Sequence, residues 1–196
     1  MGHRMFVAVL LPEEIREELE RFLEPRPGLA WSDPAQWHLT LAFCADIDDW
    51  RLDDLIDRLT AVARKHEPFR LTLTGAGAFP SVERAKVLWA GVEQPEERPL
   101  HSLAAGARSA ANASGCCPDG ARFRPHLTLA RLRGSGDATH WLHVLDTFTS
   151  SDWQVREIAL VESFLGQGRQ GRARHEVMAR IPLGSGDERW WARSGD

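Results

Sequence analysis

Two histidines, His38 and His126, each open the pentapeptide His-Leu-Thr-Leu-Ala, at residues 38–42 and 126–130. An imidazole titrates near neutrality, so it can take or give a proton under ordinary conditions. Two imidazoles on opposite sides of one substrate suit an in-line displacement at phosphorus. One would deprotonate the attacking oxygen while the other protonates the leaving oxygen. Thr40 and Thr128 would donate hydrogen bonds to non-bridging phosphate oxygens as charge shifts in the transition state. Such a site needs no nucleophilic Ser or Cys, no metal and no cofactor. A zinc site on His38 and His126 would need a third ligand, for which His175 is the only positional candidate.

These side chains need rigid elements to hold them. Each copy alternates polar and apolar residues with period two, the pattern of a half-buried strand. Leu39 and Leu41, like Leu127 and Leu129, then face a core, and His38 with Thr40 and His126 with Thr128 share the other face. The strands are expected over about 37–43 and 123–132. Residues 5–11 form an apolar strand candidate, and Pro12-Glu13-Glu14 opens a helix striped by Ile15, Leu19, Phe22 and Leu23. Asp48 or Asp49 is placed to cap a second helix carrying Leu52, Leu55, Ile56, Leu59, Val62 and Ala63. Residues 69–73 and 86–92 read as strands on either side of a loop over 75–80. The Gly-x-Gly at Gly75 and Gly77 has no helix after it, so it is no dinucleotide fingerprint. Pro95-Glu96-Glu97 then introduces a helix with Leu100, Leu103, Ala104, Ala107 and Ala111. The succession of strand, Pro-Glu-Glu, helix, turn and His-Leu-Thr strand thus occurs twice, and it predicts two related lobes. A short helix over 139–145 and strands over 155–164 and 173–181 follow. The polar tail 184–196, with Trp190 and Trp191, is expected to be flexible. Residues 1–183 are expected to form one domain of two interleaved lobes.

At 196 residues, 43% hydrophobic and 27% charged, the chain can bury a sizeable core. No apolar run reaches the roughly 20 residues needed to span a bilayer. Three cysteines, Cys44, Cys116 and Cys117, make no disulfide framework, which points to a reducing cytoplasm. A net charge of −4 excludes a broadly basic nucleic-acid-coating surface. The first hundred residues carry the acidic excess. Arg122, Arg124, Arg131 and Arg133 bracket the second motif, either as a solvated flank or as local attraction for a phosphate-bearing substrate.

The residues resemble the 2H phosphoesterase superfamily and, within it, the RNA 2′,3′-cyclic phosphodiesterases known historically as 2′-5′ RNA ligases. The similar segments are Trp31-Ser-Asp-Pro-Ala-Gln-Trp-His-Leu-Thr-Leu-Ala-Phe43, Gly75-Ala-Gly-Ala-Phe-Pro80, Val87-Leu-Trp-Ala-Gly-Val92, Arg124-Pro-His-Leu-Thr-Leu-Ala-Arg131 and Ser163-Phe-Leu165. The resemblance implies an α+β fold with two antiparallel sheets in a bilobal, pseudo-two-fold arrangement, flanked by helices, with the active cleft between the lobes. It implies opening of a 2′,3′-cyclic phosphate to a 2′-phosphate, with His38 as proton donor, His126 as acceptor, and Thr40 and Thr128 as phosphate contacts. It implies Phe43 as a base-stacking platform and Arg131 as a cation beside the phosphate, although strand alternation places both opposite the histidines unless the strand bulges or ends there. The substrate would be RNA with a 2′,3′-cyclic phosphate end or a small cyclic nucleotide, the protein a monomer without obligate partner or membrane. Ligation at the same site and a non-catalytic RNA-end binding module are the alternatives. Two departures stand out: Phe43-Cys44-Ala45-Asp46 replaces the family's Phe-Leu-Gly-Glu, and His175 falls where a Tyr is common.

Overall fold

The first strand, β1 (Gly2–Leu10), has buried side chains at five consecutive positions, Met5 to Val9. Both of its faces are covered, which explains an unbroken apolar run where one-sided strands alternate. Met5, Val7 and Val9 point into the main core under the helices, while Phe6 and Ala8 join Ala159 and Val161 in a small second cluster on the other face. In the computed structural model, residues 2–26, 28–116, 118, 122–168, 171 and 173–184 are described.

Helix α1 (Glu13–Leu23) starts at Pro12 with two glutamates in its first turn and buries Ile15, Leu19 and Leu23. Next come β2 (His38–Asp48) and α2 (Leu52–Ala63). The expected Asp48 or Asp49 cap does not form. A single 3₁₀ turn over Asp49–Arg51 leads into α2, no side chain caps it, and Asp49 is engaged by the His3 ring instead. Strands β3 (Phe69–Phe79) and β4 (Ala85–Glu93), helix α3 (Pro99–Ala113) and strand β5 (Leu127–Gly136) follow, then α4 (Thr139–Leu145), β6 (Trp153–Val155), β7 (Glu157–Phe164) and β8 (Arg174–Pro182). No helix is long and apolar enough to cross a membrane among the described residues. Cys44 and Cys116 are buried free thiols. Trp190 and Trp191 lie outside the described residues.

Three sequence expectations need correction. Residues 75–79 are not a loop: β3 continues through them, with Ala76, Gly77, Ala78 and Phe79 opposite Ala90, Trp89, Leu88 and Val87. A bulge with Gly75 in the left-handed region carries the strand past Thr74, and a Cβ on Gly77 would collide with the Trp89 indole. The second motif strand begins at Leu127, not near residue 123. The strand expected from residue 155 is two, β6 and β7, which belong to opposite halves of the sheet.

All eight strands pair antiparallel in the order β6-β3-β4-β5-β2-β1-β7-β8. The two expected sheets are the two four-stranded halves of this one. They join where β2 meets β5, at a single register pair, Leu39 opposite Leu127. The motif strands therefore start side by side at the centre and run away from each other.

Candidate active site

The shared pentapeptide bends both strands in the same way. Along β2, Val7 and Ala8 of β1 face Ala42 and Thr40, so Leu41 is an extra residue. Along β5, Leu88 and Trp89 of β4 face Ala130 and Thr128, so Leu129 is extra. Each is a β-bulge, and beyond it every side chain changes face. The buried neighbours Leu41-Ala42 and Leu129-Ala130 are the mark it leaves. Simple alternation, which assigns Phe43 and Arg131 to the core face, is thereby overturned. Phe43 comes opposite Phe6, on the face that also carries Thr40 and His38, and Arg131 comes opposite Val87, on the face of Thr128. His38, Thr40, Phe43, His126, Thr128 and Arg131 all line one cleft.

The two imidazoles are held alike. His38 Nδ1 lies 2.7 Å from the carbonyl oxygen of Gln36, and His126 Nδ1 lies 2.7 Å from that of Arg124. A carbonyl only accepts, so each ring carries its proton on Nδ1 and leaves Nε2 for proton transfer. The chain reaches these positions differently. Asp33 accepts a hydrogen bond from the Ala35 amide and starts the 3₁₀ turn Pro34–Gln36 that delivers the Gln36 carbonyl. On the other side Pro125 sits between the Arg124 carbonyl and the ring it holds.

Their surroundings differ. His38 stacks on Phe6 with ring centroids 4.5 Å apart, and His175 of β8 stands edge-on to both rings, at 5.3 Å from His38 and 4.9 Å from Phe6. His126 meets the edge of Phe79 at 5.0 Å and the tilted indole of Trp89 at 6.2 Å. Burial opposes protonation in each case. It pushes His38 down to about 4, with His175, His126 and Arg131 adding repulsion. Burial also lowers His126, helped by Arg131, and lowers His175. In the open cleft all three rings are neutral at pH 7. Among the described residues no three His, Cys, Asp or Glu side chains gather closely enough to hold a metal ion, so His175 does not complete a ligand set with the other two.

Sequence reasoning missed the rings packed against the two histidines. Phe6 read as core, and Phe79 and Trp89 read as loop and strand residues without a role. Their signal was the register with the motif strands, which only long-range pairing fixes. His175 was visible as a substitution at a position where the family has Tyr.

The model of the 2′-5′ RNA ligase superfamily matches residues 10–165, a span that holds both motifs. The chain belongs to this superfamily. A relative from Escherichia coli K12, named RNA 2′,3′-cyclic phosphodiesterase, is 33% identical over 170 residues, covering 85% of this chain and 90% of the relative. One of the same name from Aquifex aeolicus is 30% identical over 168 residues, covering 83% and 89%. The fold matches the crystal structure of E. coli LigT complexed with 3′-AMP, with a TM-score of 0.72 and 29% identity, over 93% of this chain and 99% of the other. Arg4 and His175 lie outside the superfamily match, one before its start and one after its end.

Proposed function

We propose that the protein hydrolyses RNA 2′,3′-cyclic phosphate ends to 2′-phosphates, without a metal, by acid–base catalysis between His38 and His126. In this reading His126 Nε2 takes a proton from the attacking water as its oxygen bonds to phosphorus. The bond from phosphorus to the 3′-oxygen breaks, and His38 Nε2 gives that oxygen its proton. Thr40 and Thr128 donate to the non-bridging oxygens, Arg131 offsets their charge, and the Phe43 ring carries the base. The two halves act as one catalytic domain over residues 1–183. The reading is supported above all by the matched tethering of the two imidazoles, which frees Nε2 on both.

The electrostatics add a condition. His38 at about 4 is a poor proton donor in the empty cleft, because at neutral pH it holds no proton. A phosphodiester anion settling between the rings favours imidazolium, so the substrate itself loads the acid. The relatives' shared name, and a structural neighbour solved in complex with 3′-AMP, support a nucleotide phosphate as the ligand class.

The test compares wild type with His38→Ala and His126→Ala on an oligonucleotide ending in a cyclic phosphate, with chelator present. Each substitution is expected to lower kcat by about 10²–10⁴-fold, and the chelator to leave the wild type unchanged. Near-full activity in either variant would overturn the mechanism, as would loss of wild-type activity to the chelator. Tight binding without turnover would establish a binding module instead.

A further inference from the structure

The twofold likeness of the motif strands breaks down at their outer ends. Arg4 on β1 lies on the face of Phe6, two residues further along the strand, and lines the cleft. Its guanidinium carbon sits 4.4 Å above the centre of the Phe43 ring. The Arg4 Nε is buried without a hydrogen-bond partner, and no carboxylate among the described residues pairs with the guanidinium. The registers make Val7 and Leu88 equivalent, so the position matching Arg4 in the other half is Ala85, which is fully buried. Among the described residues, the other half has no cation at the position that matches Arg4.

The other end is acidic. There the chain at Trp31 bridges to Ala130 beside Arg131, and the nearby lining carries Glu17, Glu20, Glu24 and Asp33 against Arg21. A polyanion leaving over that end would pass four carboxylates. Leaving over Phe43, it passes Asp46, which lies beside Gly2, and meets an arginine that no carboxylate among the described residues pairs with. Such a partly buried guanidinium gains most from a phosphate, which it can bind in a fork.

We propose that Arg4 binds the phosphodiester immediately upstream of the cyclic end, so that the RNA chain leaves the cleft over Phe43 and Arg4. This rests on the functional reading above and narrows it: the preferred substrate is an oligonucleotide end, not a free cyclic nucleotide. Phe43 holds the terminal base and Arg4 holds the link to the next one.

The experiment measures kcat/KM for adenosine 2′,3′-cyclic phosphate and for the dinucleotide ApA ending in a 2′,3′-cyclic phosphate, using wild type, Arg4→Met and Arg4→Lys. Arg4→Met should lose about tenfold or more on the dinucleotide, the size of one charge-assisted hydrogen bond, and less than about twofold on the mononucleotide. Arg4→Lys should recover part of the loss. On the dinucleotide, the slope of log kcat/KM against log salt should flatten in Arg4→Met by about 0.7, the value for one single-strand phosphate contact. Equal losses on both substrates would overturn the proposal and leave Arg4 as a prop for Phe43; no loss on either would overturn it too. Should wild type turn over neither substrate, the functional reading falls, and titration with the two matching 2′-phosphate products puts the same comparison to Arg4 by affinity.

Discussion

The half of the sheet that carries His38 and the half that carries His126 are built on the same five residues, bulged at the same place, and they do not treat them alike. His38 is pressed between Phe6 and the edge of a third imidazole, and its proton affinity falls to about 4. His126 has Phe79 and Trp89 beside it and, among the described residues, no second histidine in ring contact. Five residues past each histidine the halves part completely, with an aromatic ring at Phe43 and a cation at Arg131. The motif supplies atoms in matching positions; the strands packed beside it decide what those atoms do. Twofold geometry suits a phosphate lying between the two imidazoles, and its loss outside the motif would give a nucleotide bound there a direction.

Substitutions made in pairs can break or sharpen this contrast. The largest expected effect is at the histidines. His38→Ala and His126→Ala should each lower kcat by about 10²–10⁴-fold, and the double variant should fall little below the worse single one, because the two act as a unit. Additive losses in single-turnover kinetics would show that the halves work independently. Next come Thr40→Val and Thr128→Val, each expected to cost about 10²–10³-fold in kcat, as removal of one oxyanion donor does. A loss confined to KM would mean that the hydroxyls hold the ground state alone.

Smaller effects should separate the halves. Phe43→Ala removes one base-stacking surface, worth about 1–3 kcal/mol. It should raise KM by roughly 5- to 150-fold, and it should do so more for adenine than for uracil ends, whose ring is smaller. Arg131→Ala should weaken all bases equally. The last pair reads proton affinities. His175→Phe keeps a ring of similar bulk against His38 and removes the repulsion between imidazoles, so the His38 titration followed by NMR should move upward while His126 stays. A fixed His38 would show that burial alone sets its value.

Stability should follow pH with opposite signs at two places. Burial lowers His38, His126 and His175 in the folded state, so between about 4 and 6.5 the unfolded chain binds more protons, and these groups withdraw stability as pH falls through that window. His3, held by Glu162 and Asp49, is raised above 6.5. Its contribution is complete below 6.5 and is lost as pH rises through the folded value. His3→Gln should therefore lower Tm at pH 6 more than at pH 9, and an equal drop at both would remove the ion-pair explanation.

Much of this architecture was legible in the chain. The four helices, the central motif strands and the repeated order of elements follow from local pattern, because apolar spacing and turn residues act over a few positions. The six proposed site residues were legible as well, four by their own spacing and two by resemblance. What the chain did not disclose depends on distant partners. Leu41 and Leu129 become bulged only because β1 and β4 fix the register on either side, and without that shift Phe43 and Arg131 face away from the histidines. Residues 75–79 look like a loop because Gly75 and Gly77 are poor strand formers, yet one turns the bulge and the other makes room for Trp89. His175 reaches His38 across β1 and β7, a neighbour that no sequence window contains.

The nesting of the two halves bears on synthesis. All four strands of the His126 half, β3 to β6, lie in one continuous run, whereas the His38 half is split between β1 and β2 at the start and β7 and β8 at the end. A chain emerging from the ribosome with its N-terminus first can close the inner half once β6 is out, as units fold in the order in which they are made. Strands β1 and β2 must wait for the final hairpin, which brings Val161 beside Phe6 and His175 beside His38. The cleft is thus completed last, and a nascent chain that already holds both motifs lacks the His175 side of it until β8 has emerged.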